Sequence, residues 1–278
     1  MKRVALARLV PLVPLSGGAC HLYSIKMNPR LGNQTGIFYF PSLRIPSMTE
    51  SSKILAIDTS STLCSIALLF KGRVLIRQTQ AAKQAALSLL PMVEQLLNES
   101  AVPLRELDAI AIASGPGSFT GLRIGIGAVQ GLSMSAQVPV ISVSNLAVAC
   151  YSATKRSTCD AAIGCFHARE QEVYFGAYAA NTDLGVVLIG AEQVASIAEL
   201  DFDRKAAATF KGWVGVGDAW NEQVALEKRL GIKMARTSLE NEIDIEDLCA
   251  LAELRWRAND ILDPQHVQPN YIKEQLDY

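Results

Sequence analysis

Lys53-Ile54-Leu55-Ala56-Ile57-Asp58 is an apolar run that ends in an acid, and the turn formers Thr59-Ser60-Ser61 follow it. A short, branched, uncharged run closed by a turn reads as a buried strand. Cys64 to Phe70 reads as a second strand, and Lys71-Gly72 turns the chain tightly into a third over Arg73–Gln78. The three make an antiparallel meander. The same opening recurs in weaker form downstream: a strand over Ala161–His167, a turn at Arg169-Glu170-Gln171, and a returning strand over Glu172–Ala179.

The segments between fill out an α/β pattern. A helix is expected from about Ala82 to Glu99, with Leu87, Leu90, Val93 and Leu97 at helical spacing as its apolar face. Pro91 inside it implies a kink or a late start. Ala109–Ala113 reads as a strand, Ser114–Thr120 as a Gly-rich loop, Phe119–Ala136 as a second helix and Val138–Val143 as a strand. Ser144 and Asn145 suit the cap of a helix over Leu146–Thr154, and Asp244–Ala258 is amphipathic. Residues 155–160 are polar and mark a boundary. The expected organisation is a basic extension (1–48) outside the fold and two lobes (49–156 and 157–278). Each lobe opens with an antiparallel meander in a mixed sheet, which fits the duplicated actin-like (ASKHA) architecture.

Composition narrows the function. Half of the 278 residues are hydrophobic, enough for two lobes with real cores. No uncharged apolar run of about 18 residues occurs beyond the first 20 positions, so no membrane span is expected. The six cysteines form no C-x-x-C pair, which points to a reducing, cytoplasmic setting. Cys159, Cys165 and His167 lie close together but match no standard zinc spacing, and no metal is assigned. Residues 1–48 hold six bases and no acid, and the rest carries a net charge of −7. A body this acidic is a poor stand-alone binder of phosphate backbones. For residues 1–48 two readings apply. One is an upstream start codon with Met48 as the true initiator, the favoured expectation; the other is a targeting segment.

Gly115-Pro116-Gly117-Ser118-Phe119-Thr120-Gly121-Leu122-Arg123-Ile124-Gly125 is the most informative stretch. It joins a strand to a helix, where an anion site would sit. Yet no Lys follows Gly121, as a Walker loop needs, and no Asp or Glu occurs from 109 to 159 to hold a ribose. A G-x-S-x-G elbow does not fit either. Packing or docking explains the glycines better: Gly121/Gly125 and Gly127/Gly131 are i,i+4 pairs that smooth a helix, at about 1 kcal/mol each relative to Ala. On this reading Leu87, Leu90, Val93, Leu97, Gly121, Gly125, Ala128 and Gly131 receive a partner chain. Gly125→Leu and Gly131→Leu are then expected to remove binding with the fold intact.

These residues carry a resemblance. Ile54–Ser60, Leu89-Leu90-Pro91, Gly115–Gly125, Val143–Leu146, Ala168-Arg169 with Glu172-Val173-Tyr174, and Pro269-Asn270-Tyr271-Ile272 resemble the TsaB family over about 53–275. The resemblance implies an actin-like fold of two lobes, pairing with a catalytic TsaD-type subunit, and work with a TsaE-type ATPase. Such complexes move threonylcarbamoyl from its adenylate to N6 of adenosine 37 in tRNAs reading codons that begin with A. TsaB-type chains are scaffolds there and join TsaD through the first two helices of the N-terminal lobe; tRNA is met indirectly, through the complex. The smooth apolar face would also allow a homodimer when the partner is absent, a state that the sequence leaves open. The resemblance also implies that catalytic equipment is missing. No His occurs from 80 to 99, and Ala85 stands where many relatives have one. Thr59-Ser60 replaces a glycine turn, and His167 replaces an acid. Asp58 is then a turn acceptor, and no catalytic residue or cofactor is assigned. The rival, an autonomous hydrolase or ATPase, would need H-E-x-x-H, a triad or phosphate loops; His21, His167 and His266 form no such motif.

Overall fold

The computed structural model describes residues 9–11, 23–25, 52–80, 85–240 and 242–272. Residues 1–48 and 49–278 are two separate compact units. In the first, β1 (Leu9–Pro11) pairs antiparallel with β2 (Tyr23–Ile25). Met48, and the rest of the segment to which the start-codon and targeting readings apply, lie outside the described residues.

The second unit begins with β3 (Ile54–Asp58), β4 (Cys64–Phe70) and β5 (Arg73–Thr79), the expected meander. Then come α1 (Ala85–Ser100), β6 (Ala109–Ala113), α2 (Phe119–Ala136), β7 (Val140–Val143) and α3 (Asn145–Lys155). The strand order β5-β4-β3-β6-β7 has an antiparallel half, β3 to β5, and a parallel half, β3-β6-β7. The pattern repeats with β8 (Ala161–His167), β9 (Glu172–Asn181), β10 (Gly185–Ser196), α4 (Arg204–Ala207), β11 (Trp213–Val216), α5 (Gln223–Leu230), β12 (Arg236–Ser238) and α6 (Ile245–Arg257). Its order, β10-β9-β8-β11-β12, is that of the first sheet element for element. The elements from β10 to β12 fall in a stretch to which sequence patterning assigns nothing.

Strand alternation decides what each face packs on. In the first sheet Leu55, Ile57, Ile66, Leu68, Ile110 and Ile112 share a core with α1 and α2. The alternate residues, among them Ile54, Ala56, Ala67, Ala109 and Ala111, meet a core built with α3 and α6. Short side chains let a helix lie close to the strands. The two helices cross over between the lobes. α3 follows the first sheet in the chain but packs on β8, β9, β10 and β11, whereas α6 follows the second sheet and packs on β3, β4, β6 and β7. The division expected near residue 156 therefore separates the strands, and each closing helix lies across it.

Leu248 on α6 is fully buried in this shared core. Leu248→Ala is expected to destabilise the fold by about 3 kcal/mol, read from urea denaturation. Residues 49–278 should still unfold in a single transition, since the core involved belongs to both sheets.

Candidate functional site: a closed polar network and an open helical face

The Gly-rich segment is held against the β3–β4 turn. Ser118 caps α2 by accepting from Gly121 N at 3.2 Å, and its own N–H donates to Ser60 O at 2.7 Å. The Thr59 hydroxyl donates to Gly121 O at 2.7 Å. A Cβ on Gly121 would stand 1.9 Å from Thr59 O, and one on Gly125 would stand 2.3 Å from Thr59 Oγ1. Gly121 lets the helix backbone touch the turn backbone and Gly125 makes room for the Thr59 side chain, so both are buried inside the fold, which corrects their expected place in a partner interface. Gly125→Leu would disrupt the fold itself.

Around this contact runs a closed network. Buried Asp58 accepts from Ser60 N at 2.7 Å, Ser60 Oγ at 2.5 Å and Ser61 Oγ at 2.9 Å. It is therefore a turn acceptor; burial pushes its pKa up, and the bonds from Ser60 and Ser61 oppose that. Asn145 donates to Ser60 Oγ at 2.6 Å and accepts from Gly115 N at 3.0 Å. Asn270 N donates to Ser114 O at 2.8 Å, while its side chain donates to Glu192. Glu192 also accepts from the hydroxyls of Ser144 and Tyr178. Burial and the neighbouring Glu192 carboxylate raise the Tyr178 pKa.

Sequence reasoning missed Glu192 and Tyr178. The available signal was Gly190 inside a strand. It has φ +78° and lies in a bulge where the β9–β10 register shifts between Ile189 and Gln193. Such a bulge re-aims the side chains beside it. The network also answers the phosphate question locally. The N–H groups of Gly115, Ser118 and Gly121 are spent on internal acceptors, so the loop does not offer them to an anion.

The face of α1 differs from the expected one. Leu89, Val93 and Leu96 point into the core. Leu87 and Leu90 are 78% and 52% exposed, and Leu97 is half-buried. Val93 is thus mainly a core residue, and it reaches the surface only at the floor of a groove beside Leu90 and Leu97. On α2, Gly127 and Gly131 face open space, Ala128 is half-buried and Met134 is exposed. Between the two helices lies a shallow groove of about 370 Å³, lined by Leu90, Leu97, Val102, Leu104 and Leu132 among others. Of the expected interface residues, Leu90, Val93 and Leu97 line this groove, Leu87 and Gly131 are exposed and Ala128 half-buried on the same two helices, and Gly121 and Gly125 are buried against the turn.

The remaining candidates are dispersed. His167 is exposed at the end of β8, where its N–H donates to Asp218 Oδ1 at 2.8 Å and its ring meets Asn221 at 3.3 Å. Cys165 is buried in the outer core of the second sheet, and burial pushes its thiol pKa up. Cys159 packs against Gly212. Among the described residues no three His, Cys, Asp or Glu side chains gather as metal ligands, and no helix is long and apolar enough to cross a membrane. A cleft of about 530 Å³ runs beside α3 and β11, with Arg156 and Arg236 at its rim. Arg156 is held by Glu240 at 3.4 Å and Asp244 at 3.1 Å.

Comparison with known proteins defines the class. The family model for TsaD, tRNA N6-adenosine threonylcarbamoyltransferase, matches residues 75–243. With its duplicated sheets and crossed helices, the chain is an ASKHA-type α/β protein. The tRNA threonylcarbamoyladenosine biosynthesis protein TsaB of Escherichia coli (strain K12) is 30% identical over 227 residues, 81% of this chain and 96% of that one. The protein of the same name from Haemophilus influenzae is 30% identical over 234 residues, 82% and 96% of the two chains. The solved structure of YeaZ from Pseudomonas aeruginosa matches with a TM-score of 0.68 at 35% identity, over 79% of this chain and 99% of that one. The chain belongs to the TsaB/YeaZ family.

Two outcomes test the network. Gly121→Ala is expected to destabilise the protein by about 3 kcal/mol through forced overlap, whereas Gly131→Ala should stabilise it by up to about 1 kcal/mol through helix propensity. Denaturant midpoints would compare them. The raised Asp58 pKa means that above 3.8 the folded state keeps a proton that the unfolded chain releases. Stability from this group is therefore lost as pH rises from there through the folded-state value. Asp58→Asn should flatten that slope in unfolding curves recorded across the acid range.

Proposed function

We propose that this chain serves tRNA threonylcarbamoyladenosine biosynthesis as a non-catalytic, cytoplasmic subunit. It would dock a catalytic TsaD-type chain on the exposed side of α1 and α2 and work with a TsaE-type ATPase. The complex would transfer threonylcarbamoyl to N6 of adenosine 37 in tRNAs reading codons that begin with A. One observation carries the reading: Leu87, Leu90 and Met134 stand exposed beside the bare glycines of α2, while the Gly-rich loop next to that face is closed on itself. Exposed leucines around a bare helical strip let another helix approach closely. The net charge of −7 outside residues 1–48 fits a subunit that leaves most of the RNA to its partner. Without the partner, the same face would pair two copies of this chain.

Calorimetry with a purified TsaD-type subunit tests this. Leu87→Glu and Gly131→Leu should each weaken binding about tenfold or more with the unfolding temperature nearly unchanged. Unchanged affinity in both would overturn the docking face. ATP or peptide hydrolysis by the isolated chain that disappears in Asp58→Ala would overturn the non-catalytic role.

A further inference from the structure

A second surface feature lies at the N-terminal end of α2. Phe119, its first residue, is 50% exposed, and Tyr271 from the C-terminal segment is 45% exposed. One turn along the helix, Arg123 places its guanidinium 3.8 Å from the centre of the Phe119 ring. Its Nε–H donates to the Tyr271 hydroxyl at 3.2 Å, and the two rings lie 6.4 Å apart at 44°. The C-terminal segment is fixed beside α2: Asn270 N donates to Ser114 O at 2.8 Å and Gln130 Nε2 to Val267 O at 3.1 Å. Three flat, electron-rich or cationic groups are thus ordered before any ligand arrives.

No Asp or Glu occurs between 109 and 159, the nearby Glu192 carboxylate is engaged by Asn270, and among the described residues Arg123 has no carboxylate partner. An apolar helix would be met by the leucines and bare glycines farther along the face, and it would gain nothing from a guanidinium. An anion would. Half-exposed aromatic rings beside a cation accept a nucleobase by stacking and its phosphate by charge.

We infer that Phe119, Arg123 and Tyr271 form a stacking platform for unpaired bases of the tRNA held by the assembled complex. This inference rests on the proposed role in tRNA modification. The acidic body keeps the contact weak in the free chain, so the platform works once the partner has brought the RNA near.

The test uses the full chain assembled with its TsaD-type partner and an unmodified transcript of a tRNA reading a codon that begins with A. Phe119→Ala and Tyr271→Ala should each weaken tRNA binding about tenfold at fixed salt, and Phe119→Trp should retain it. Arg123→Ala should lower the slope of log affinity against log salt by about one. Gel filtration should find the complex intact in every variant. Affinities within about twofold of the parent for both alanine variants would overturn the platform, because stacking losses exceed that. Loss of the partner from Phe119→Ala would also overturn it and assign the cluster to the protein interface. Whether the parent complex modifies the transcript is a separate readout: a failure there counts against the functional reading, while binding by the variants still judges the platform.

Discussion

The structure depends on the approach of α2 to the turn after β3. The two backbones meet at Gly121, which presents only hydrogen to Thr59 O, and Gly125 leaves room for the Thr59 side chain one turn further along. The contact sets where α2 begins, and with it the position of the Gly-rich loop. The cap of α3 follows through Asn145, and the C-terminal segment through Ser114 and Glu192. Segments far apart in the chain thus share one continuous set of donors and acceptors. A buried set of this kind is stable only when every member is satisfied, and the side chains named in it are.

The same economy explains what the surface can offer. A loop between a strand and a helix is where many proteins bind phosphate. Here the corresponding N–H groups bond inward, so the chemistry of that position is converted into rigidity. Rigidity in turn fixes α1 and α2 against the first sheet and leaves a firm, partly apolar face with little charge of its own. A firm face loses little freedom when it is covered.

Much of this was legible in the sequence, and the exceptions have physical causes. The meanders at Ile54 and Ala161 announced themselves because their signals are local: apolar runs closed by turn residues. The inward face of α1 was not legible, since Leu87, Leu89, Leu90, Val93, Leu96 and Leu97 surround the helix with apolar groups, and only packing selects Leu89, Val93 and Leu96. The paired glycines misled in a related way. Gly125 and Gly127 are two residues apart, about 200° around the helix, so one pair faces the core and the other faces outward. The β10–β12 region carried weak patterns because β11 and β12 have only four and three residues and the bulge interrupts the alternation in β10. Glu192 could not be distinguished from any surface glutamate until its three donors were in place.

The crossing of α3 and α6 has a mechanical consequence. Because each lobe is roofed by a helix supplied by the other, the lobes cannot part by bending at a single connecting strand of chain. Separation would strip the alanine-rich face of the first sheet and the valine-bearing face of the second of their cover at once. In this molecule the waist is stitched from both sides, so a force applied to one sheet is carried to the other through both helices.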